Sequence, residues 1–138
     1  MTDQPKVPKE RAIVEVSDET KTLVENEMPD ETEQVKNETM ALVEAIRREA
    51  QSEAQKAGEF TREKYLEAVR TARTELEQMN LFDPERIEQS IKMMQGEAER
   101  DWDALLTEVA SLGDRLSDAA KAAWEALTAP RPDDPDQQ

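Results

Sequence analysis

The sequence predicts an all-α protein, built as a long antiparallel helical hairpin with the character of a coiled coil. Three observations lead to this prediction: apolar residues that recur every three or four positions, a composition poor in glycine, and one strong turn signal in mid-chain. Aromatic residues make up only 4% of the chain and charged residues 37%, while glycine occurs three times. Long helices paired along a narrow seam suit such a composition better than a layered α/β core, which needs more apolar residues.

The most regular apolar stripe lies in the second half of the chain. Its spacing places its members on one side of an α-helix, and another helix must cover that side. The stripe consists of Ile87, Ile91, Met94, Ala98, Trp102, Leu105, Val109, Leu112, Leu116, Ala119, Ala123 and Leu127. A thinner stripe in the first half consists of Val35, Leu42, Ile46, Ala50, Ala54, Ala57, Tyr65, Val69, Ala72, Leu76 and Met79.

Both termini are predicted to be disordered tails. Prolines interrupt residues 1–29, and the short apolar patches there bury too little surface to offset the chain entropy lost on folding. Two alternatives remain open within this acidic segment: an extended docking segment or transient strand over residues 12–16, and a turn of helix over residues 22–24. Residues 130–138 are rich in proline and aspartate and form the second tail.

The hairpin itself is predicted over residues 30–129. Its first helix covers about residues 31–79 and bends near Gly58, with a new helix capped by Thr61 as the alternative.

The turn of the hairpin is predicted at residues 80–83. Asp83, Pro84 and Glu85 supply an N-cap, a proline suited to the first helical position and a first-turn acid, so the second helix covers about residues 84–129. Two arms of roughly 70 Å each, joined by a short turn, lie antiparallel. Dimerisation into a four-helix bundle would cover the seam of this hairpin.

The charge of the chain limits its partners. A formal net charge of −15 repels phosphate backbones, so we expect no nucleic-acid partner. The nearly neutral residues 41–80 leave peripheral contact with a membrane open as an alternative. No apolar run is long enough for a transmembrane segment, and the polar start lacks the apolar region of a signal peptide, so we expect a cytoplasmic protein.

The residue types predict no enzyme, no cofactor and no metal site. The chain has neither cysteine nor histidine, and it lacks the glycine spacing of a phosphate-binding loop. Carboxylate pairs such as Glu49 with Glu53, or Glu59 with Glu63, are expected by chance among 33 acidic residues. An all-carboxylate metal cluster is the alternative to this solvated arrangement.

Candidate interaction residues come from two places. One is a basic and aromatic cluster at the start of the second half of the first arm; the other is the alanine-rich end of the second arm, where small side chains allow close helix approach. The candidates are Phe60, Tyr65, Arg70, Arg73, Trp124 and Leu127. The alternatives are ordinary ion pairs along a helix face for the cluster, and packing near Val35 and Leu42 for the last two residues.

Three segments, Thr61–Arg70, Gly113–Leu116 and Lys121–Pro130, resemble small uncharacterised acidic helical proteins of cyanobacterial type. The resemblance covers about residues 60–130 and implies no activity.

The sequence thus predicts a non-enzymatic helical interaction protein, an adaptor, scaffold or regulator that binds a protein partner or forms a homodimer. One alternative is an amphipathic helical protein that binds membrane surfaces reversibly, and another is a hydrophilin-like stress protein.

Overall fold

The structure is a computed structural model that describes residues 14–129, so the predictions for residues 1–13 and 130–138 lie outside the described residues. Over the described range the chain forms six α-helices and no strand, which confirms the all-α class. The helices are α1 (Asp18–Glu27), α2 (Glu33–Lys56), α3 (Arg62–Met79), α4 (Pro84–Arg100), α5 (Trp102–Leu112) and α6 (Arg115–Thr128).

Helix α2 is the centre of the fold. Helices α1, α3, α4 and α6 all pack against it, and α5 joins α4 to α6. Leu42, Val43, Ala45 and Ile46 point in successive directions around α2, and each is 0% exposed. A hairpin would bury a single stripe of this helix, whereas the observed arrangement buries its middle on every side.

The apolar stripes predicted from the sequence form most of the core. Fully buried members of the second stripe include Ile87, Ile91, Met94, Leu105 and Leu116, while Trp102 and Leu127 are partly buried against the same core. The stripes therefore identify the buried faces even though the helices that carry them are shorter than predicted.

The predicted helix over residues 31–79 is divided into α2 and α3. Gly58 adopts a φ of +100°, in the left-handed region that favours glycine, and Thr61 caps α3 by accepting a hydrogen bond of 3.2 Å from the backbone N–H of Lys64. This break lets α3 fold back on α2, so that the two halves of the first stripe cover each other. The alternative of a new helix at Thr61 is the arrangement observed.

The predicted helix over residues 84–129 is divided twice. Asp101 ends α4 because its φ of −128° and ψ of 40° are not helical, and Gly113 ends α5 with a φ of +52°. These two changes of direction bring α6 alongside α2. By contrast, α3 ends at Met79 and α4 begins at Pro84, the positions that the capping residues indicate.

Within residues 14–29, helix α1 corrects the prediction of a disordered tail over residues 1–29. Ser17 caps this helix through its side chain, and Leu23, Val24 and Met28 are buried in the core. Tertiary contact with α2 and α4 supplies the buried surface that a ten-residue helix lacks by itself.

Candidate functional site

A buried polar network lies between α2 and its neighbours. Four of its members, Glu44, Arg47, Arg48 and Gln51, are spaced three, four and seven positions apart on α2, which places them on one face of the helix. All four are buried, with between 0% and 7% of each residue exposed. Charged residues are rarely buried unless they are paired, so their partners define the site.

Arg47 is the most deeply placed cation. Its Nη2 lies 2.8 Å and 3.0 Å from the two carboxylate oxygens of Glu97, and its Nη1 lies 3.2 Å from Oε1 of Glu108. Its Nε donates to the hydroxyl oxygen of Thr20 at 3.1 Å. Burial opposes the charged guanidinium, but the carboxylates of Glu97 and Glu108 outweigh it and raise the pKa of Arg47 above its ordinary value. Arg47 is therefore a permanent positive charge in the centre of the bundle.

Arg48 extends the network to a second set of partners. Its Nε donates to Oε2 of Glu44 at 2.9 Å, and its Nη1 donates to Gln51 at 2.9 Å and to Oε1 of Glu108 at 3.2 Å. Gln51 in turn donates to the same Glu108 oxygen at 2.7 Å. One carboxylate oxygen from α5 thus accepts hydrogen bonds from three α2 side chains, which ties α5 to α2.

Glu44 fixes the position of α1. Its Oε1 accepts hydrogen bonds from the backbone N–H of Ser17 at 3.2 Å, from the Ser17 hydroxyl at 3.0 Å and from the Thr20 hydroxyl at 2.7 Å. Because its Oε2 is bonded to Arg48, Glu44 joins the N-terminus of α1 to the arginines of α2.

The network holds more negative than positive charge. Three carboxylates, of Glu44, Glu97 and Glu108, face two guanidinium groups. Burial, reinforced by the nearby Glu108, raises the pKa of Glu97 despite the attraction of Arg47. Tyr65 lies beside these groups with 0% exposure, and its hydroxyl has no hydrogen-bond partner among residues 14–129. Its burial raises the pKa of that hydroxyl well above its ordinary value, so Tyr65 stays protonated.

Replacing Thr20 with valine tests the link between α1 and the network. The substitution keeps the shape of the side chain but leaves Glu44 and Arg47 each short of one hydrogen bond, so we expect the free energy of unfolding to fall by about 1–3 kcal/mol. Urea denaturation followed by circular dichroism measures this. Thr22→Val, at an exposed position on the same helix, is the control and should change stability by less than about 0.5 kcal/mol. Equal effects of the two substitutions would contradict the role given to Thr20.

An open groove of about 610 Å³ lies directly over this network. We call it the α6 groove. One side is the non-helical segment Val14–Ser17, the floor is Glu44 and Arg48, and the other side is the alanine face of α6 with Leu112 at one end. The alanines are Ala119, Ala122, Ala123 and Ala126. The alanine side chains of α6 are short, and Glu44 and Arg48 on the floor are paired with each other, so none of these side chains fills the groove.

The aromatic residues predicted as interaction candidates lie in or against the core. Phe60 is partly buried and stacks on Trp102, with ring centroids 5.3 Å apart and an interplanar angle of 4°. Tyr65 lies 5.9 Å from Phe60 and 5.8 Å from Trp102, and Arg62 covers the Trp102 ring at 5.6 Å. Because Tyr65 is fully buried, it offers no surface to a partner in this conformation, and its place is in the core.

The other candidates are separate from the groove. Arg70 is exposed, whereas Arg73 pairs with Glu77 at 3.1 Å and with Glu88 at 2.6 Å. Trp124 and Leu127 are partly buried against the core. None of the six candidates is among the residues that line the α6 groove, and a role for the exposed ones in binding stays a prediction.

Sequence reasoning did not identify the polar network or the groove as a unit. The helical spacing of Glu44, Arg47, Arg48 and Gln51 was a usable signal, but on a predicted hairpin this face would be solvated. The patch over residues 12–16 was identified as an alternative docking segment, and its described part, Val14–Val16, does line the groove.

Carboxylate pairs are the remaining sequence candidates. Glu49 is partly buried, and burial together with repulsion from Glu53 and Glu75 raises its pKa. Among the residues that the structure describes, no group of three or more acidic side chains is arranged to hold a metal ion.

The fold and the groove define an all-α bundle with a polar network around its central helix. Comparisons with protein-family models, with curated proteins and with solved structures found no match. The resemblance of residues 60–130 to acidic helical proteins of cyanobacterial type therefore stays a prediction. Of the six helices in residues 14–129, none is long and apolar enough to cross a membrane.

Proposed function

We propose that the protein is a non-enzymatic interaction protein, an adaptor, scaffold or regulator, that binds a protein partner in the α6 groove. The observation that carries this proposal is the groove itself, which is open to solvent and has the alanine face of α6 as one side. Its volume is about 610 Å³.

The floor of the groove favours binding over catalysis. An acid or base catalyst needs a group that is free to exchange a proton with its substrate. Glu44 and Arg48 are engaged with each other and with Ser17, Thr20 and Gln51, so they hold the shape of the floor. We propose on this basis that the protein is not an enzyme. We also propose that it acts in the cytoplasm, a reducing compartment in which proteins rarely depend on disulfides, and the absence of cysteine is compatible with this location.

Peripheral binding to a membrane surface is the second candidate function. Met79 and Leu81, at the turn between α3 and α4, are 38% and 55% exposed and lie at one end of the bundle with Phe82. The net charge of −15 opposes anionic lipids, which leaves zwitterionic surfaces as the target. Sedimentation with phosphatidylcholine vesicles, reduced in a Leu81→Ser variant, would favour this candidate over a protein partner.

The main proposal is tested by filling the groove. Ala122 is exposed and lines the groove, so Ala122→Leu should block a partner without disturbing the core, while Ala110→Leu adds the same side chain at an exposed position of α5 outside the groove. Tagged full-length proteins are used in a pull-down from native lysate, and partners are quantified by mass spectrometry.

We expect the wild type and Ala110→Leu to recover the same partner, and Ala122→Leu to recover about tenfold less of it. Equal recovery by all three proteins would contradict the proposal. A homodimer that Ala122→Leu dissociates, measured by sedimentation velocity, would identify a second copy of the chain as the occupant.

A further inference from the structure

We propose that the occupant of the α6 groove is an extended peptide segment of a partner protein, which pairs with the backbone of Val14–Val16 as an added strand. In this peptide, basic residues alternate with small apolar residues. The basic side chains point outward to solvent, and the small apolar side chains point inward to the groove. This inference rests on the proposed function, and it adds the conformation and the chemistry of the ligand.

The backbone of Val14–Val16 supplies the first argument. Among residues 14–129, none of the backbone groups of these three residues takes part in a backbone–backbone hydrogen bond outside the helices. Val14 and Val16 are partly buried while Glu15 is exposed, which is the alternation of an extended chain, and Ser17 continues it with φ of −72° and ψ of 161°. Open donors and acceptors along an extended segment form an edge on which another strand can pair.

The space beside this edge supplies the second argument. A paired strand lies about 4.8 Å from its neighbour. The groove between Val14–Val16 and α6 is the open space that borders this segment. The side chains that an added strand turns inward face the floor formed by Glu44 and Arg48, and the alanine face of α6 lies alongside the strand. Glu44 and Arg48 are already paired with each other, so an inward charge would find no free partner there. The inward positions therefore require small apolar residues.

Charge supplies the third argument. The outward side chains of an added strand lie beside Glu15, the exposed residue of the segment, and opposite charges on neighbouring strands attract. The chain as a whole carries a net charge of −15, which steers a basic segment towards it. Lysine or arginine at the outward positions satisfies both conditions.

The test uses a phage-displayed library of random decapeptides, selected against the immobilised full-length protein. We expect enrichment of sequences in which lysine or arginine alternates with alanine, valine or serine. A synthetic peptide of the enriched sequence is then labelled, and its dissociation constant is measured by fluorescence anisotropy for the wild type and for each variant.

Two proline variants test the backbone pairing. Successive N–H groups of an extended chain point to opposite sides, so only one of Val14→Pro and Glu15→Pro removes a hydrogen bond to the peptide. We expect that variant to bind about tenfold more weakly than its own alanine control, Val14→Ala or Glu15→Ala, which keeps the N–H. The other proline variant should bind within about threefold of its control. Melting curves of all four variants check that the bundle remains folded.

The outcomes separate this inference from the proposed function. If neither proline variant binds more weakly than its alanine control, while Ala122→Leu still abolishes binding, the occupant is not an added strand and only the further inference fails. If Ala122→Leu has no effect either, the proposed function fails as well. Selection of no binding peptide, or of peptides without basic residues, would overturn the ligand chemistry proposed here.

Discussion

Replacing Arg47 with methionine is expected to lower the free energy of unfolding by about 3–5 kcal/mol. Methionine replaces the apolar stem of the side chain but removes the guanidinium and the charge that faces Glu97 and Glu108. Both carboxylates have about a tenth of their side-chain surface exposed, so neither can recover its lost partner from solvent without opening the bundle. Urea denaturation monitored by far-ultraviolet circular dichroism measures the change.

Arg73→Met is the matched control for this prediction. The side chain of Arg73 is 36% exposed, and its pairs with Glu77 and Glu88 lie at the surface, so its loss should cost no more than about 1 kcal/mol. Adding Glu97→Gln to Arg47→Met should restore part of the stability, because it removes one uncompensated charge. If Arg47→Met costs no more than Arg73→Met, the network is not the buried structure described above.

Replacing Leu116 with aspartate is expected to lower the free energy of unfolding by about 4 kcal/mol or more. Leu116 is 0% exposed at the start of α6, the helix that packs along α2. A carboxylate there has to be buried without a counter-charge or pull α6 away from the bundle. Thermal denaturation should show a lower transition temperature, and hydrogen exchange should show loss of protection in α6.

Leu106→Asp separates burial from the mere loss of an apolar side chain. Leu106 lies on α5 and is 37% exposed, so the same substitution there should cost no more than about 1 kcal/mol. Leu112 is partly buried at the end of the groove, so Leu112→Asp should lower the free energy of unfolding by an intermediate amount. Equal transition temperatures for Leu116→Asp and Leu106→Asp would show that α6 does not pack against α2 through Leu116.

The local signals in the sequence identified those helix boundaries that depend on short-range chemistry. Asp83 and Pro84 begin α4 because a capping carboxylate and a proline in the first turn act within a few residues. Thr61 was identified as a possible cap and does begin α3. Asp101 has no comparable signal, since it ends α4 without a glycine or proline.

Helix α1 and the groove show the limit of this reasoning. The segment around Leu23 and Val24 is too short to be stable alone, so its helix depends on contact with α2 and α4. The α6 groove combines Val14 with α2 and with Ala126, residues that are far apart in the chain. No periodicity connects such positions, and only the folding back of α6 brings them together.

The sequence by itself determined the all-α class, the two apolar stripes that supply most of the core and the turn at Asn80–Asp83, because hydrophobic spacing and capping chemistry act over a few residues. Only the tertiary structure decided that the arms break at Gly58, Asp101 and Gly113 and that α2 becomes the centre of the bundle. It also decided that Arg47 and Arg48 are buried rather than solvated. Burial depends on which helices surround a residue, and that arrangement minimises the exposed apolar surface of the whole chain rather than of any one segment.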